Sequence, residues 1–274
     1  MDALLDVPLT MYLLFPLLGV AVGVLAGLLG VGGGLVLVAA LAWLLPLFGV
    51  PQEVAMHVAL ASSLASIVLT AASSARAHAR RGSVLWPTVA WMVPGLLLGG
   101  WLGSGVAVAL DGGVLRWIVC GYCLLAAWQV GFGRTVAVPG GGQAPVPRGW
   151  PMSAAGGGIG ALSAVVGIGG GSMTVPLLVW RGVVPVRAVG TSSACGVAIG
   201  LASALGYAVH APAGVLPQHG IGYVYLPAAI GVAAASVLAA PWGTRLAHRL
   251  SAQALRRVFA LFLLAVAASV PASG

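Results

Sequence analysis

The chain of 274 residues is 60% hydrophobic and only 6% charged, with a mean hydropathy of +1.09. Soluble domains are about half apolar and about a quarter charged, so this composition excludes a soluble globular protein and indicates a polytopic membrane protein. The formal net charge is +8, but the 12 basic residues, all arginines, are scattered over short connections. They form no basic stripe of the kind that binds a phosphate backbone, which argues against a nucleic-acid partner.

The first segment, MDALLDVPLTMYLLF, carries Asp2 and Asp6 where a secretory signal would carry positive charge. No small-residue cleavage site follows it, so we interpret it as a retained part of the protein. Uncharged runs long enough to cross about 30 Å of hydrocarbon then recur along the chain. They are residues 7–52, 84–110, 150–180, 188–209 and 221–244.

A cluster of glycines occurs once in each half of the chain. GLLGVGGGLVLV (27–38) aligns with AVVGIGGGSMTV (164–175). A segment of small and hydroxyl residues follows each cluster, VALASSLASIV (58–68) in the first half and AVGTSSACGVA (188–198) in the second. Matched motifs in the same order predict a duplicated chain.

The boundary between the repeats lies in a stretch rich in glycine and proline. GRTVAVPGGGQAPVPRG (133–149) has no hydrophobic periodicity and is typical of a segment outside the membrane. Later in each half, motifs match at a constant spacing of 140 residues, as Pro87 and Pro227 do. The predicted domains are a first membrane repeat (1–133), a cytoplasmic linker (134–149) and a second membrane repeat (150–274).

The arginines are distributed differently in the two halves. The connection SARAHARRGS (74–83) is basic, whereas its counterpart HAPAGVLPQHG (210–220) contains no arginine. Before the hydroxyl segment the bias is reversed, with Glu53 in the first half and Arg181 and Arg187 in the second. Because cytoplasmic loops collect basic residues, the halves are predicted to lie upside down relative to each other. Both termini are then expected outside the cytoplasmic (inner) membrane.

We therefore expect an all-α polytopic membrane protein with an inverted-topology repeat and roughly 8–10 hydrophobic segments. Each half should contain a glycine-broken first element plus three spanning helices. After the second glycine cluster only residues 171–182 remain for a helix, roughly 18 Å, which is too short to span. Pro176 should break this half-helix further, or at least remove a backbone donor. Whether each first element re-enters or fully crosses is left open.

The paired breaks are predicted to bind a small anion near the midplane. A half-helix beginning at Gly171 or Ser172 presents unpaired N–H groups and the positive end of its dipole. Neutral hydroxyls add donors without a buried fixed charge. The candidate substrate-binding residues are Gly32, Gly33, Gly34, Ser62, Ser63, Gly169, Gly170, Gly171, Ser172, Thr191, Ser192 and Ser193. The alternatives are glycines that serve helix packing or a hinge, and serines that bond only their own i−4 carbonyl.

Three ionisable residues are candidates for a proton or anion partner. His57 precedes the first hydroxyl pair on the same predicted helix, Arg76 lies at the other end of that helix, and Arg187 opens the matching helix. An ionisable group inside a membrane is a functional hypothesis by default, although these side chains could instead face water or snorkel to the headgroups. His210 and His219 are interpreted as loop residues. Tryptophans cluster near the predicted span ends, as in an interfacial belt.

The motif CGYC (120–123) suggests the alternative of a membrane thiol oxidoreductase that uses Cys120 and Cys123. The pair lies within a predicted span and without a βαβ pattern, so we expect no enzyme activity and no catalytic residues. Cys195 is interpreted as a packing residue. Histidines, cysteines and acids do not gather at ligand spacing, and we predict neither a metal site nor a cofactor.

Three stretches resemble the TauE/SafE family of sulfite exporters and related anion permeases. They are GLLGVGGG, GIGGGSMTVPLL with the following AVGTSS, and HVALASSLASIVLTAASSARAHARRGSV. The resemblance covers nearly the whole chain and implies transport of small sulfur-containing anions, such as sulfite or sulfonates. One departure is ASS at 61–63, where the family more often has threonine before serine.

The expected mechanism is alternating access between the inverted halves, with the anion as substrate and the lipid bilayer as surroundings. A permease for another small anion or metabolite is the alternative. The direction of transport, the coupling ion and homo-oligomer formation are left open by the sequence.

Overall fold

The structure is a computed structural model that describes residues 9–29, 33–132, 146–212, 219–247 and 252–272. Within these ranges the chain forms ten helices and one short antiparallel hairpin. The predicted helical class is confirmed, and the hairpin is an addition that the sequence pattern did not indicate. Gly32 and most of the predicted linker lie outside the described residues.

Each half contributes five helices. The first half contains α1 (Leu9–Leu29), α2 (Gly34–Leu47), α3 (Gln52–Arg80), α4 (Trp86–Ala109) and α5 (Gly112–Phe132). The second contains α6 (Trp150–Val166), α7 (Gly171–Trp180), α8 (Pro185–Val209), the strands β1 (Gly220–Ile221) and β2 (Val224–Tyr225), α9 (Leu226–Ala247) and α10 (Ala252–Ala272). In the hairpin, Gly220 pairs with Tyr225 and Ile221 pairs with Val224.

In the described part of the chain, α3, α4 and α8 are each long and apolar enough to cross a membrane. The outer surface of the helices is apolar, as a lipid-facing surface must be, with Leu98 61% and Leu238 76% exposed. Exposed tryptophans stand at helix ends, with Trp86 opening α4, Trp150 opening α6 and Trp180 closing α7. This placement is typical of an interfacial aromatic belt.

The helices associate in reciprocal pairs. α1 packs along α9, and α6, the counterpart of α1, packs along α4, the counterpart of α9. At the centre α3 packs on α8, and at the side α5 packs on α10. Every residue from Ala55 to Leu64 of α3 is buried, so this part of α3 runs through the interior of the molecule. The set of pairs is unchanged when the two halves are exchanged.

Glycines allow the closest of these helix contacts. A Cβ atom on Gly103 of α4 would lie 2.6 Å from the carbonyl oxygen of Ala161 in α6, and one on Gly19 of α1 would lie 2.6 Å from that of Val232 in α9. The hydroxyl of Ser236 also donates to the Gly19 carbonyl at 2.8 Å. These glycines serve close helix packing, which replaces the hydrophobic effect between helices in lipid.

The short helix α7 corrects one expectation from the sequence. α7 is continuous through Pro176 and ends at Trp180, so of the two predicted effects of this proline the further break is wrong and the missing backbone donor is what remains. Proline lacks the N–H that would have bonded the carbonyl of Ser172, four residues earlier, and the helix continues past it. Ten residues give a helix of about 15 Å, half of the hydrocarbon thickness.

Candidate functional site

The short helices α2 and α7 begin at glycines in a left-handed conformation. Gly33, before α2, has φ of 58°, and Gly170, before α7, has φ of 73°. Gly167, which ends α6, has φ of 77°. A side chain with a Cβ is strained in this region, so glycine is required where the chain leaves one helix and enters the next.

The two breaks touch each other. A Cβ on Gly34 would lie 2.7 Å from the carbonyl oxygen of Gly167 and 3.3 Å from the Cα of Ile168. The Ser63 Oγ lies between them, 3.2 Å from the Gly34 carbonyl oxygen and 3.0 Å from that of Gly167. Because one hydroxyl hydrogen is shared between two carbonyls, Ser63 ties the first turn of α2 to the end of α6.

Ser62 and Thr191, at matching positions in α3 and α8, make the same contact with opposite halves. The N–H of Tyr225, just before α9, donates to the Ser62 Oγ at 2.9 Å, and the N–H of Leu85, just before α4, donates to the Thr191 Oγ1 at 3.0 Å. Thr191 also donates its own hydrogen to the Arg187 carbonyl at 2.7 Å. We call this arrangement the reciprocal clamp, and both of its hydroxyls are engaged with backbone.

The remaining hydroxyls of the second predicted motif lie along the contact of α8 with α3. Ser192 is buried, with 3% of its surface exposed. Ser193 donates to the Val189 carbonyl, and its Oγ lies 3.0 Å from the Oγ of Ser74 in α3. Ser193 and Thr191 each bond the i−4 carbonyl, as the alternative from the sequence has it, but neither bonds that carbonyl only.

A further polar group at the start of α7 was missed by the sequence reasoning. The Tyr122 hydroxyl of α5 is hydrogen-bonded to the Ser172 hydroxyl at 2.5 Å. Thr174, one turn into α7, is fully buried, and its hydroxyl has no hydrogen-bond partner among the described residues. The signal that could have found Tyr122 is the 140-residue spacing, which pairs it with Phe262 and marks a position where only one half has a hydroxyl.

The three ionisable candidates lie away from the breaks. The His57 Nε2–H donates to the Leu110 carbonyl at 2.9 Å, and the ring stacks on Tyr223 with centroids 5.0 Å apart. His57 therefore sits beside the α4–α5 connection. Arg76, in the last turns of α3, and Arg187, in the first turn of α8, are both exposed.

The two histidines that were interpreted as loop residues lie outside the helices. His210 follows the last residue of α8, and its ring packs against Trp101 of α4 with centroids 4.9 Å apart. His219 lies in the turn before β1.

The cysteines are buried free thiols. The Cys120 thiol donates to the Ala267 carbonyl of α10 at 3.3 Å, and Cys195 contacts the Met92 sulfur at 4.0 Å. Cys120 therefore lies in the contact of α5 with α10, and Cys123 is fully buried on the same helix. In the described ranges, His, Cys, Asp and Glu form no group of three or more that could hold a metal ion.

Comparison with known proteins gives matches over nearly the whole chain. The family model described as "Sulfite exporter TauE/SafE" matches residues 15–270. A Haemophilus influenzae protein named "Probable membrane transporter protein" is 34% identical over 261 residues, which cover 94% of this chain and 97% of that protein.

A Xylella fastidiosa protein of the same name, from strain Temecula1, is 31% identical over 266 residues, covering 91% of this chain and 90% of its own. No solved structure matches the chain significantly. The family resemblance read from the glycine and hydroxyl motifs is confirmed. The chain therefore belongs to the TauE/SafE family of sulfite exporters, and it is a membrane transporter.

Proposed function

We propose that this transporter moves a small sulfur-containing anion, such as sulfite or a sulfonate, across the cytoplasmic membrane. The observation that carries the proposal is the contact between the two glycine breaks, where Gly34 meets Gly167 and a short helix begins on each side. The matched family is described as sulfite exporters, which supports a sulfur oxyanion as the substrate over other small oxyanions.

The chemistry at the start of α7 favours an anion. The N–H groups of Met173 and Thr174 donate to the Gly170 carbonyl, whereas those of Gly171 and Ser172 have no acceptor among the described residues. First-turn N–H groups carry the positive end of the helix dipole, so they stabilise a negative charge without a fixed cation. A neutral site of this kind can release its ligand again, as transport requires.

The candidate residues divide into two roles under this proposal. Gly169, Gly170, Gly171 and Ser172 form the backbone around the anion, next to the matching Gly33 and Gly34, while the predicted Gly32 lies outside the described residues. Ser62, Ser63, Thr191 and Ser193 hold the surrounding helices in register, and Ser192 is buried on the same helix as Ser193. Arg76 and Arg187 would attract anions to the cytoplasmic mouth, and His57 would be a proton carrier near the opposite end.

We further propose that the halves form an inverted repeat that works by alternating access. The directions of α3 and α8 support this, because corresponding helices of inverted repeats run antiparallel. Ser74, late in α3, contacts Ser193, early in α8, whereas a Cβ on Gly200 would approach the Leu64 carbonyl at 2.9 Å. Residues 1–133 and 150–274 would then rock about the central contact, with both termini on the outer side of the inner membrane and the linker on its cytoplasmic side.

Anion flux in liposomes tests the transport proposal. Purified protein should carry sulfite or a sulfonate down a gradient, and empty liposomes supply the control. The Cys120→Ser variant should transport as the wild type does, since its thiol bonds only the Ala267 carbonyl. Sulfite-independent thiol oxidation that disappears in Cys120→Ser would overturn the proposal in favour of the oxidoreductase.

A further inference from the structure

The two glycine breaks are surrounded by different side chains. α2 and α7 begin at matching glycines 137 residues apart, so Ser172 and Thr174 of α7 correspond to Leu35 and Leu37 of α2. Both leucines are buried, and neither can donate a hydrogen bond. The first turn of α7 carries hydroxyls where the first turn of α2 is apolar.

The neighbouring helices repeat this difference. α5 and α10 begin 140 residues apart, so Tyr122 of α5 corresponds to Phe262 of α10. Tyr122 reaches α7 through its hydrogen bond to Ser172, and α10 packs on α2 in the matching place. The phenol hydroxyl is present only on the α7 side.

One hydroxyl hydrogen of the Tyr122 and Ser172 pair is not used in the hydrogen bond between them. Two hydroxyls carry two hydrogens, and the bond between them uses one, whichever residue donates it. The other hydrogen has no acceptor among the described residues. Ser172 and Tyr122 are both half-buried, so this donor lies beside the free N–H groups of the first turn and is open to a ligand.

Thr174 supplies a second unpaired donor. Some helical hydroxyls in this protein donate to the carbonyl four residues earlier, as Thr191 does at 2.7 Å and Ser193 at 3.0 Å. Those of Ser163 and Ser203, like that of Thr174, have no partner among the described residues. The Thr174 hydroxyl is fully buried and does not bond the Gly170 carbonyl, although its own N–H does at 2.7 Å. Its Oγ1 lies 3.5 Å from the place that a Cβ on Gly170 would occupy, so the hydroxyl faces the break.

We propose that the anion is bound on one side only, by the hydroxyls of Tyr122, Ser172 and Thr174 together with the first-turn N–H groups of α7. The break before α2 is then a structural partner that donates no side-chain hydrogen bond to the ligand. This inference rests on the proposed anion transport and deepens it by naming the half that recognises the oxygens of the substrate.

Sulfite binding to purified variants tests the one-sided site. Sulfite-dependent thermal stabilisation gives an apparent Kd, because a ligand that binds the folded state raises its apparent stability. Tyr122→Phe and Thr174→Val should each weaken sulfite binding about tenfold, since a hydrogen bond to a charged group is removed. Ser172→Ala, at a half-exposed position, provides a third variant if either of the others folds poorly.

Two matched variants serve as controls. Phe262→Tyr adds the same hydroxyl to the α2 side and should leave the sulfite Kd unchanged. Tyr207→Phe removes a buried phenol whose hydroxyl donates to the Ala164 carbonyl, so it should lower the melting temperature without changing the Kd.

Wild-type affinity in Tyr122→Phe, Thr174→Val and Ser172→Ala would overturn the one-sided site and leave anion transport standing. Tighter binding by Phe262→Tyr would also overturn it, because the α2 side would then face the ligand. A wild-type protein that binds and transports neither sulfite nor methanesulfonate would overturn the proposed function and this inference together.

Discussion

Hydroxyl residues near the two glycine breaks have different roles in this protein. Ser62 and Thr191 accept backbone N–H groups from the opposite half, and Ser63 bridges the two breaks. Ser172 and Thr174 instead retain hydrogens that no described residue accepts. Hydroxyl type alone could not separate these roles, because each is set by a partner distant in sequence.

The reciprocal clamp predicts the effect of removing one hydroxyl. Thr191→Val keeps the side-chain shape but leaves the buried Leu85 N–H without an acceptor, so the free energy of unfolding should fall by about 1 kcal/mol. Thermal unfolding in detergent measures this. Thr70→Val is the matched control, since the Thr70 hydroxyl bonds only carbonyls of its own helix. Equal stability of the two variants would contradict the clamp.

At the scale of the helices, two groups of glycines have separate physical reasons. Gly19 and Gly103 let helices approach within van der Waals distance of a carbonyl, whereas Gly33 and Gly170 adopt left-handed conformations at which a helix starts. The sequence presented packing and a binding break as alternatives for the same motif. The structure contains close-packing glycines and left-handed glycines at helix starts, at different positions.

Gly170 offers a direct test of the break before α7. In Gly170→Ala the new Cβ would overlap the Ile199 Cδ1 and occupy a left-handed conformation, so stability should fall by about 2 kcal/mol. Adding Ile199→Val should relieve the overlap but leave the backbone strain. Gly158→Ala in α6, with no atom within 4 Å of its new Cβ, should be neutral. Thermal unfolding checks all three, and equal stability of Gly170→Ala and Gly158→Ala would show that the left-handed start is dispensable.

On the scale of the whole molecule, ten helices in the described part of the chain form reciprocal pairs around α3 and α8. Exchanging the halves leaves the pairs in place, and the antiparallel directions of α3 and α8 suit halves inserted upside down. The hydroxyl difference between the breaks departs from this symmetry. A transporter built on equal halves would therefore have one recognising half and one structural half.

Labelling of single cysteines tests the inverted arrangement. Arg81→Cys and Pro212→Cys place exposed thiols after α3 and after α8 in a chain whose native cysteines are replaced by serine. A membrane-impermeant maleimide added to intact cells should label Pro212→Cys, on the outside, and spare Arg81→Cys until the cells are opened. Labelling of both positions in intact cells would rule out inverted halves.

The sequence by itself determined the membrane class, the helical fold, the family and the glycines at which α2 and α7 begin. These features depend on composition and on local backbone geometry, which neighbouring residues decide. The further break predicted at Pro176 does not occur, since α7 continues through the proline with one backbone donor missing.

Only the tertiary structure decided which hydroxyls are already hydrogen-bonded to distant parts of the chain. Thr191 is paired with Leu85 across 106 residues, and Ser62 with Tyr225 across 163. Tyr122 reaches Ser172 from a different helix, across 50 residues. Hydrogen bonds of this kind form between groups that helix packing brings together, so no local pattern distinguishes a hydroxyl that is already bonded from one that can donate to a substrate.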